Sequence, residues 1–183
     1  MLIKDYEQQI KTIIGDAKIR NKPLILGTPS KALIACGAHQ NQNITITYKV
    51  IKKSMMPEIR NEEGKLTGNT GHELTEEMLI KAIAELEKPT MIFRGGDESS
   101  LIVVTDLLDK KSRNIIIALR LDREEAFSLV TSIRSIYGRD NFPFFVEKNM
   151  NEGNLMAVKK EKADEMLRSI GKWYPKENTF ISL

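Results

Sequence analysis

Histidine is the side chain whose ordinary pKa lies closest to neutrality, so it can act as either acid or base in a proton transfer. The chain has two, His39 and His72. His72 stands where a glycine-rich stretch gives way to a helical pattern, in GHELTEEML, and Gly71 beside it leaves the ring free to face a groove. His39 lies in the polar segment AHQNQN and reads as solvated. Cations able to contact phosphate stand at Lys52 and Lys53, after an alternating apolar run, and at Arg134, which has Ser128, Ser132 and Ser135 around it. One imidazole with several cations fits RNA cleavage. RNA carries its own nucleophile, the 2′-hydroxyl, so the reaction requires a base, an acid and positive charge to stabilise the phosphorane. The same residue types also occur on ordinary surfaces, and the bland reading of the serine stripe is a solvated helix face.

Other chemistries lose their usual support. No P-loop pattern, no G-x-G-x-x-G after a strand, no H-E-x-x-H and no G-x-S-x-G elbow is present. The Gly95-Gly96-Asp97 step is too short to cradle a phosphate. Two histidines far apart in sequence offer no metal-ligand spacing, so neither a metal nor another cofactor is expected. Cys36, the single cysteine, excludes an internal disulfide and reads as a small core residue. The 183 residues, 41% hydrophobic and 29% charged, suffice for one domain with a sizeable core. With 28 Lys and Arg against 25 Asp and Glu, the net charge of +3 permits a nucleic-acid partner without requiring one. No apolar run reaches membrane-spanning length and the N-terminus lacks a signal-peptide layout, so a cytoplasmic location in a host cell is expected.

The elements that must position these residues are organised around Ser100 to Gly138. Two strands, Leu101 to Thr105 and Ile115 to Leu121, flank the polar turn DKKSRN and predict a hairpin. A helix is predicted next, capped by Asp122 with Glu125 three residues on. Ala126, Phe127, Val130, Ile133, Ile136 and Tyr137 would form its inward face and Gly138 its C-terminal cap. Upstream, Ile3, Tyr6, Ile10, Ile13, Ile14 and Ala17 make the stripe of an amphipathic helix over 2–20. LGTPSKALIACG predicts a short helix with Thr28 as N-cap, Pro29 at its first position and Gly37 past its end. Alternation over Ile44 to Ile51 predicts a strand running into Lys52 and Lys53.

A structureless connection over 54–71 follows, of a length that is either mobile or functional. Then come a helix capped by Thr75 and closed by Pro89, with Met78, Leu79, Ala82, Ile83 and Leu86 inward, and a strand over Thr90 to Arg94. RDNFPFFVEKNMNEGN reads as irregular, with Phe142, Phe144 and Phe145 plugging one edge of the core. A strand over Leu155 to Val158 and a helix from Lys160 to Ile170, ended by Gly171, complete the chain. The expected class is α+β, N-terminal helices followed by a mainly antiparallel sheet with packed helices. Residues 1–22 would be an N-terminal amphipathic helix packed on a single domain over 23–183.

From Leu26 to Gly171 the chain resembles the phage MuF C-terminal domain family. LGTPSKALIACG resembles its early T-P helix, Ile51 to Lys53 its strand-end lysine, GHELTEEML its H-x-L-(S/T) helix start and EKPTMIF its D-P strand entry. SLIVVTDLLD, IIIALRL, SIYG and GNLMAVKKEKA follow its later pattern. The family occurs in capsid-associated polymorphic toxins and mobile-element proteins and is placed with barnase-like and EndoU-like RNases. The resemblance thus implies a metal-independent ribonuclease fold, with His72 catalytic and Lys53, Ser135 and Tyr137 as its partners. Lys52, Lys53, Arg134 and Ser132 would contact RNA. The chain departs from the pattern in Glu87-Lys88 before Pro89 and in having no capsid module upstream, which implies a freestanding protein. More loosely, it resembles stand-alone anti-CRISPR proteins that disarm type II effector nucleases, some through the guide RNA. Three roles follow as expectations: an RNase acting on cellular or guide RNA, a non-catalytic inhibitor of an effector nuclease, and a structural or packaging-associated phage protein.

Overall fold

The run Ile115-Ile-Ile-Ala-Leu is apolar at successive positions, as a strand must be when helices cover both faces of its sheet. The computed structural model describes residues 1–16, 21–65, 67, 70–125, 128–168 and 181–183; the side chains of Leu167 and Ser182 lie outside that description. In chain order the elements are α1 (Tyr6–Gly15), β1 (Leu24–Gly27), α2 (Lys31–Ala35), β2 (Asn43–Ile46), α3 (Tyr48–Met55) and α4 (Glu76–Ala84), which a 3₁₀ turn Glu85–Glu87 extends. Then follow β3 (Met91–Arg94), β4 (Ser100–Leu108), β5 (Asn114–Glu125), β6 (Ser128–Gly138), α5 (Phe142–Asn151), β7 (Leu155–Val158), α6 (Lys160–Arg168) and β8 (Ile181–Ser182). The class is α+β. Among the described residues one eight-stranded sheet has the order β1-β2-β6-β5-β4-β3-β7-β8, antiparallel except for the parallel pairs β2·β6 and β7·β8.

Alternation along β5 divides the core in two. Ile115, Ile117 and Leu119 join Ile133, Ile136 and the apolar faces of α1, α2, α3 and α4 on one side. Ile116 joins Met91, Phe93 and Val104 under α5 and α6 on the other. The β4–β5 hairpin is the expected one, and its turn is built by Asp109, whose Oδ1 accepts from the amides of Lys111 (2.8 Å) and Arg113 (2.9 Å). Helix α4 begins at the expected cap, Thr75 Oγ1 accepting from Met78 N. The α1 helix buries Tyr6, Ile10 and Ile13; its expected residues 17–20, Ala17 among them, lie outside the described residues.

Several local expectations are corrected. Residues 128–138 form strand β6, paired antiparallel with β5 from Ile115↔Gly138 to Glu125↔Ser128, and not a helix. The helical spacing of Ile133 and Ile136 comes from an irregularity in the ladder: Ala118 pairs with Ser135 and Leu119 with Ile133, so an extra β6 residue at Arg134 keeps the two isoleucines on one face. Asp122 is not a cap but sits at a second irregularity within β5, at φ 52°, a conformation that aspartate tolerates. Ala126 and Phe127 lie outside the described residues.

The strand over Ile44 to Ile51 stops at Ile46, because Thr47 Oγ1 accepts from Val50 N and starts α3. Lys52 and Lys53 are therefore helical. The α2 helix is capped by Ser30, not Thr28, and RDNFPFFVEKNMNEGN contains α5, whose first turn holds Pro143 and whose Phe142 and Phe145 are buried while Phe144 is exposed. The end of the last expected helix, Ile170 and Gly171, lies outside the described residues.

Candidate functional site

Helix α3 leaves its last carbonyls without intrahelical donors, and the returning chain supplies them. His72 N donates to Lys53 O (3.1 Å), Leu74 N to Ser54 O (2.9 Å) and Glu73 N to Met56 O (2.9 Å). Gly71 N in turn donates to Pro57 O (2.9 Å). The residue at 71 must be glycine, since a Cβ there would lie 2.0 Å from the Met56 carbonyl oxygen. The segment 71–74 is thus stitched to the C-terminal end of α3, which sets His72 beside Lys53.

The sheet completes the site. β2 pairs with β6 only from Val130 to Ser132, so the C-terminal half of β6 has no strand on that side, and α3, next in the chain, packs there instead. The imidazole of His72 meets the Tyr137 ring at 5.2 Å between centroids, tilted by 33°. Between α3 and β6 lies a cleft of about 430 Å³ lined by Thr47, Lys49, Val50, Lys53, Ser54, His72, Arg123, Ile133, Arg134 and Ser135. Positions 49, 50, 53 and 54 are two adjacent rows of one helix face, which is why Lys53 lines the cleft and Lys52 does not.

The cleft is electropositive. Its lining has four cations and no carboxylate. Among the described residues Lys49, Lys53 and Arg134 have no ion-pair partner, whereas Arg123 Nε is 3.4 Å from Glu125 Oε1. Burial of the ring, then the Lys53 ammonium, hold the His72 imidazole below its ordinary pKa, against the opposing pull of Glu58. The ring is therefore neutral at pH 7 and able to accept a proton. Ser54 is fully buried, and its hydroxyl has no hydrogen-bond partner among the described residues.

Behind His72 an ionic network ties Glu58 and Glu73 to the β4–β5 turn. The Glu58 side chain is only 4% exposed, and its carboxylate takes Arg113 Nη2 at 2.5 Å, Lys111 Nζ at 2.8 Å and Arg60 Nη2 at 3.0 Å. Burial alone would raise this carboxyl, yet the hydrogen bonds from Lys111, Arg113 and Arg60 bring it down to about 2. Lys111 also reaches Glu73 at 2.7 Å, next to His72. Arg113 is held on its other sides by Asp109 and Asp140. Gly138 makes room for this, since a Cβ there would meet the Asp109 carboxylate at 1.9 Å.

Of the residues singled out in the sequence, His72, Lys53, Arg134 and Ser135 line one cleft, and Tyr137 packs on the His72 ring. Lys52 is exposed and off the cleft-facing rows. Ser132 is 1% exposed and does not line the cleft; its hydroxyl accepts from Arg123 Nη1 at 3.4 Å. His39 accepts from Asn41 N at 3.4 Å, outside the cleft. Sequence reasoning missed Thr47, Lys49, Ser54 and Arg123. The α3 residues among them were legible through Thr47 as an N-cap, the signal the alternating pattern obscured. Among the described residues, no group of three or more His, Cys, Asp and Glu could hold a metal ion, and no helix is long and apolar enough to cross a membrane.

Comparison with curated proteins and with solved structures finds no match for the chain. A family model does match, over residues 65–165, just over half of the chain, and its description is the phage MuF C-terminal domain. That span holds His72 and all of β3 to β7; the α2 segment and Lys53, which carried part of the wider resemblance, precede it.

Proposed function

The chain belongs to the phage MuF C-terminal domain family, and from that premise we propose that it cleaves RNA in the cleft between α3 and β6 by acid and base chemistry. The observation that carries the reading is a half-buried imidazole on the wall of a cleft whose charged lining groups are all cations. In the proposed step His72 takes the proton of the 2′-hydroxyl, and the 2′-oxygen forms its bond to phosphorus. The 5′-oxygen bond breaks, leaving a 2′,3′-cyclic phosphate, and the departing oxygen takes a proton from the Lys53 ammonium. Arg134 faces the charge that builds on the phosphorane, and Tyr137 orients the imidazole by ring contact. Ser135 hydrogen-bonds a phosphate oxygen.

A second reading is favoured by the ratio of the groups, four cations to one imidazole. In that reading the cleft binds RNA without turnover, as in an inhibitor of a type II CRISPR effector nuclease or of its guide RNA. Both readings place the protein with phages or mobile elements, acting in the host cytoplasm, as a toxin in the first case and an anti-CRISPR in the second. The deciding experiment incubates the protein with labelled RNA in EDTA, with and without a guide-loaded effector nuclease. RNA fragments ending in a cyclic phosphate are the expected result, and their loss in His72→Ala ties them to this cleft. Inhibition of the nuclease with intact RNA overturns catalysis in favour of binding. Neither effect overturns both.

A further inference from the structure

The cations of the cleft are spread along its length. At one end the Arg123 guanidinium lies 3.4 Å from the Ser132 hydroxyl, and at the other the His72 ring lies against Tyr137. Ser132 pairs with Arg120 and Tyr137 with Ile116, so the backbones beside these two contacts are four residues of β5 apart, about 13 Å at roughly 3.3 Å per residue, and Arg123 and His72 line the cleft from those two sides. The α3 wall has the same layout. Lys49 and Lys53 both line the cleft, and side chains four apart on a helix stand about 5–6 Å from each other. Because α3 follows β2, which runs parallel to β6, Lys49 falls toward the Ser132 end and Lys53 toward the His72 end. One phosphate does not use this length. The volume of about 430 Å³ is that of pockets enclosing small molecules, about 300–1,000 Å³, which admits one strand and no duplex.

We infer that the cleft takes single-stranded RNA across two consecutive phosphates, the scissile one between His72 and Lys53 and its neighbour between Lys49 and Arg123. The inference rests on reading this cleft as an RNA site. The second subsite is binding machinery: it holds the strand in place and touches no reacting atom.

The test is calorimetric titration of the full chain with 2′-O-methyl oligonucleotides, which have no free nucleophile, of two, three and four nucleotides with unphosphorylated ends. Affinity is expected to rise about tenfold from one phosphate to two and to stay nearly level at three. The slope of log K against log salt should go from about −0.7 to about −1.4 over the first step, as counterions are released from one and then two phosphates. Lys49→Ala, an exposed position without an ion pair among the described residues, should abolish that step at unchanged Tm, and Arg123→Ala, which also gives up its contact with Glu125, should do the same. Equal affinity for one and two phosphates, or a Lys49→Ala variant that keeps the full step, overturns the inference. A chain that shows the step but leaves RNA intact overturns the ribonuclease reading alone. Cleavage of RNA without the step overturns only the second subsite.

Discussion

His72 is held by its backbone at one end and by a ring contact at the other, so its substitution separates chemistry from folding. His72→Ala should lower RNA cleavage by about two to four orders of magnitude, the usual contribution of a general acid or base. Loss of the contact with Tyr137 should cost only about 1 kcal/mol, which a thermal melt can check. The sign of the pH dependence follows from the lowered pKa. The ring gains its proton only below its ordinary value of about 6.5, so the acid limb of the kcat/KM profile should lie below pH 6.5. Lys53 contributes to that lowering by repulsion, so Lys53→Met should move the limb of the residual activity up toward pH 6.5, while weakening RNA binding and lowering the rate through loss of the acid. A limb that stays put in Lys53→Met removes Lys53 as a cause of the lowering.

At the scale of elements, the site depends on how the segment 71–74 is sewn onto α3. Gly71→Ala places a methyl 2.0 Å from the Met56 carbonyl oxygen, so the backbone that positions His72 must shift. The expected cost is about 1–3 kcal/mol of stability, with a loss of roughly a hundredfold in cleavage, since displacement of a catalytic group by about 1 Å costs that much. Activity of the folded variant, measured well below its Tm, distinguishes the two effects. The Glu58 network is the other tie. Its folded pKa of about 2 lies below the unfolded value, about 4.3 for glutamate. Its contribution is therefore fully present above about pH 4.3 and is lost as pH falls toward 2. Glu58→Gln should lower stability at pH 7 by about 2 kcal/mol and flatten the fall of Tm between pH 5 and pH 2. An unchanged acid slope removes Glu58 as its source.

For the whole molecule, the sheet centre carries the stability and the cleft is built at the side of β6 that β2 leaves uncovered. Ile117 is fully buried between Val103 and Ile136 in the pairing of β4, β5 and β6. Ile117→Ala should cost about 2–5 kcal/mol through the cavity it leaves. Its cleavage rate should match the parent at low temperature and fall only as the variant unfolds. Reduced kcat with a fully folded variant would show instead that the sheet core reaches the site.

What the sequence by itself determined is whatever neighbouring residues decide among themselves. Thr75 with Met78 starts α4, the polar turn from Asp109 makes the β4–β5 hairpin, and the α1 stripe packs on the core, because caps, turns and helix faces depend on residues a few positions apart. The composition and the junction at His72 likewise pointed to one imidazole with cations around it. The tertiary structure decided the rest. Val130, Ile133 and Ile136 have helical spacing, yet β5 offers a ladder to pair with, and the irregularity at Arg134 restores the facing that a regular strand would lose. Val130, Thr131, Ile133, Ile136 and Tyr137 are β-branched or aromatic, a strand preference that the spacing outweighed in the sequence reading. The same pairing removed Ser132 from the cleft and brought in Arg123, while α3 turned Lys49 toward the cleft and Lys52 away from it. Which cations meet in one cleft depends on strand register between segments distant in sequence, and no local pattern carries that information.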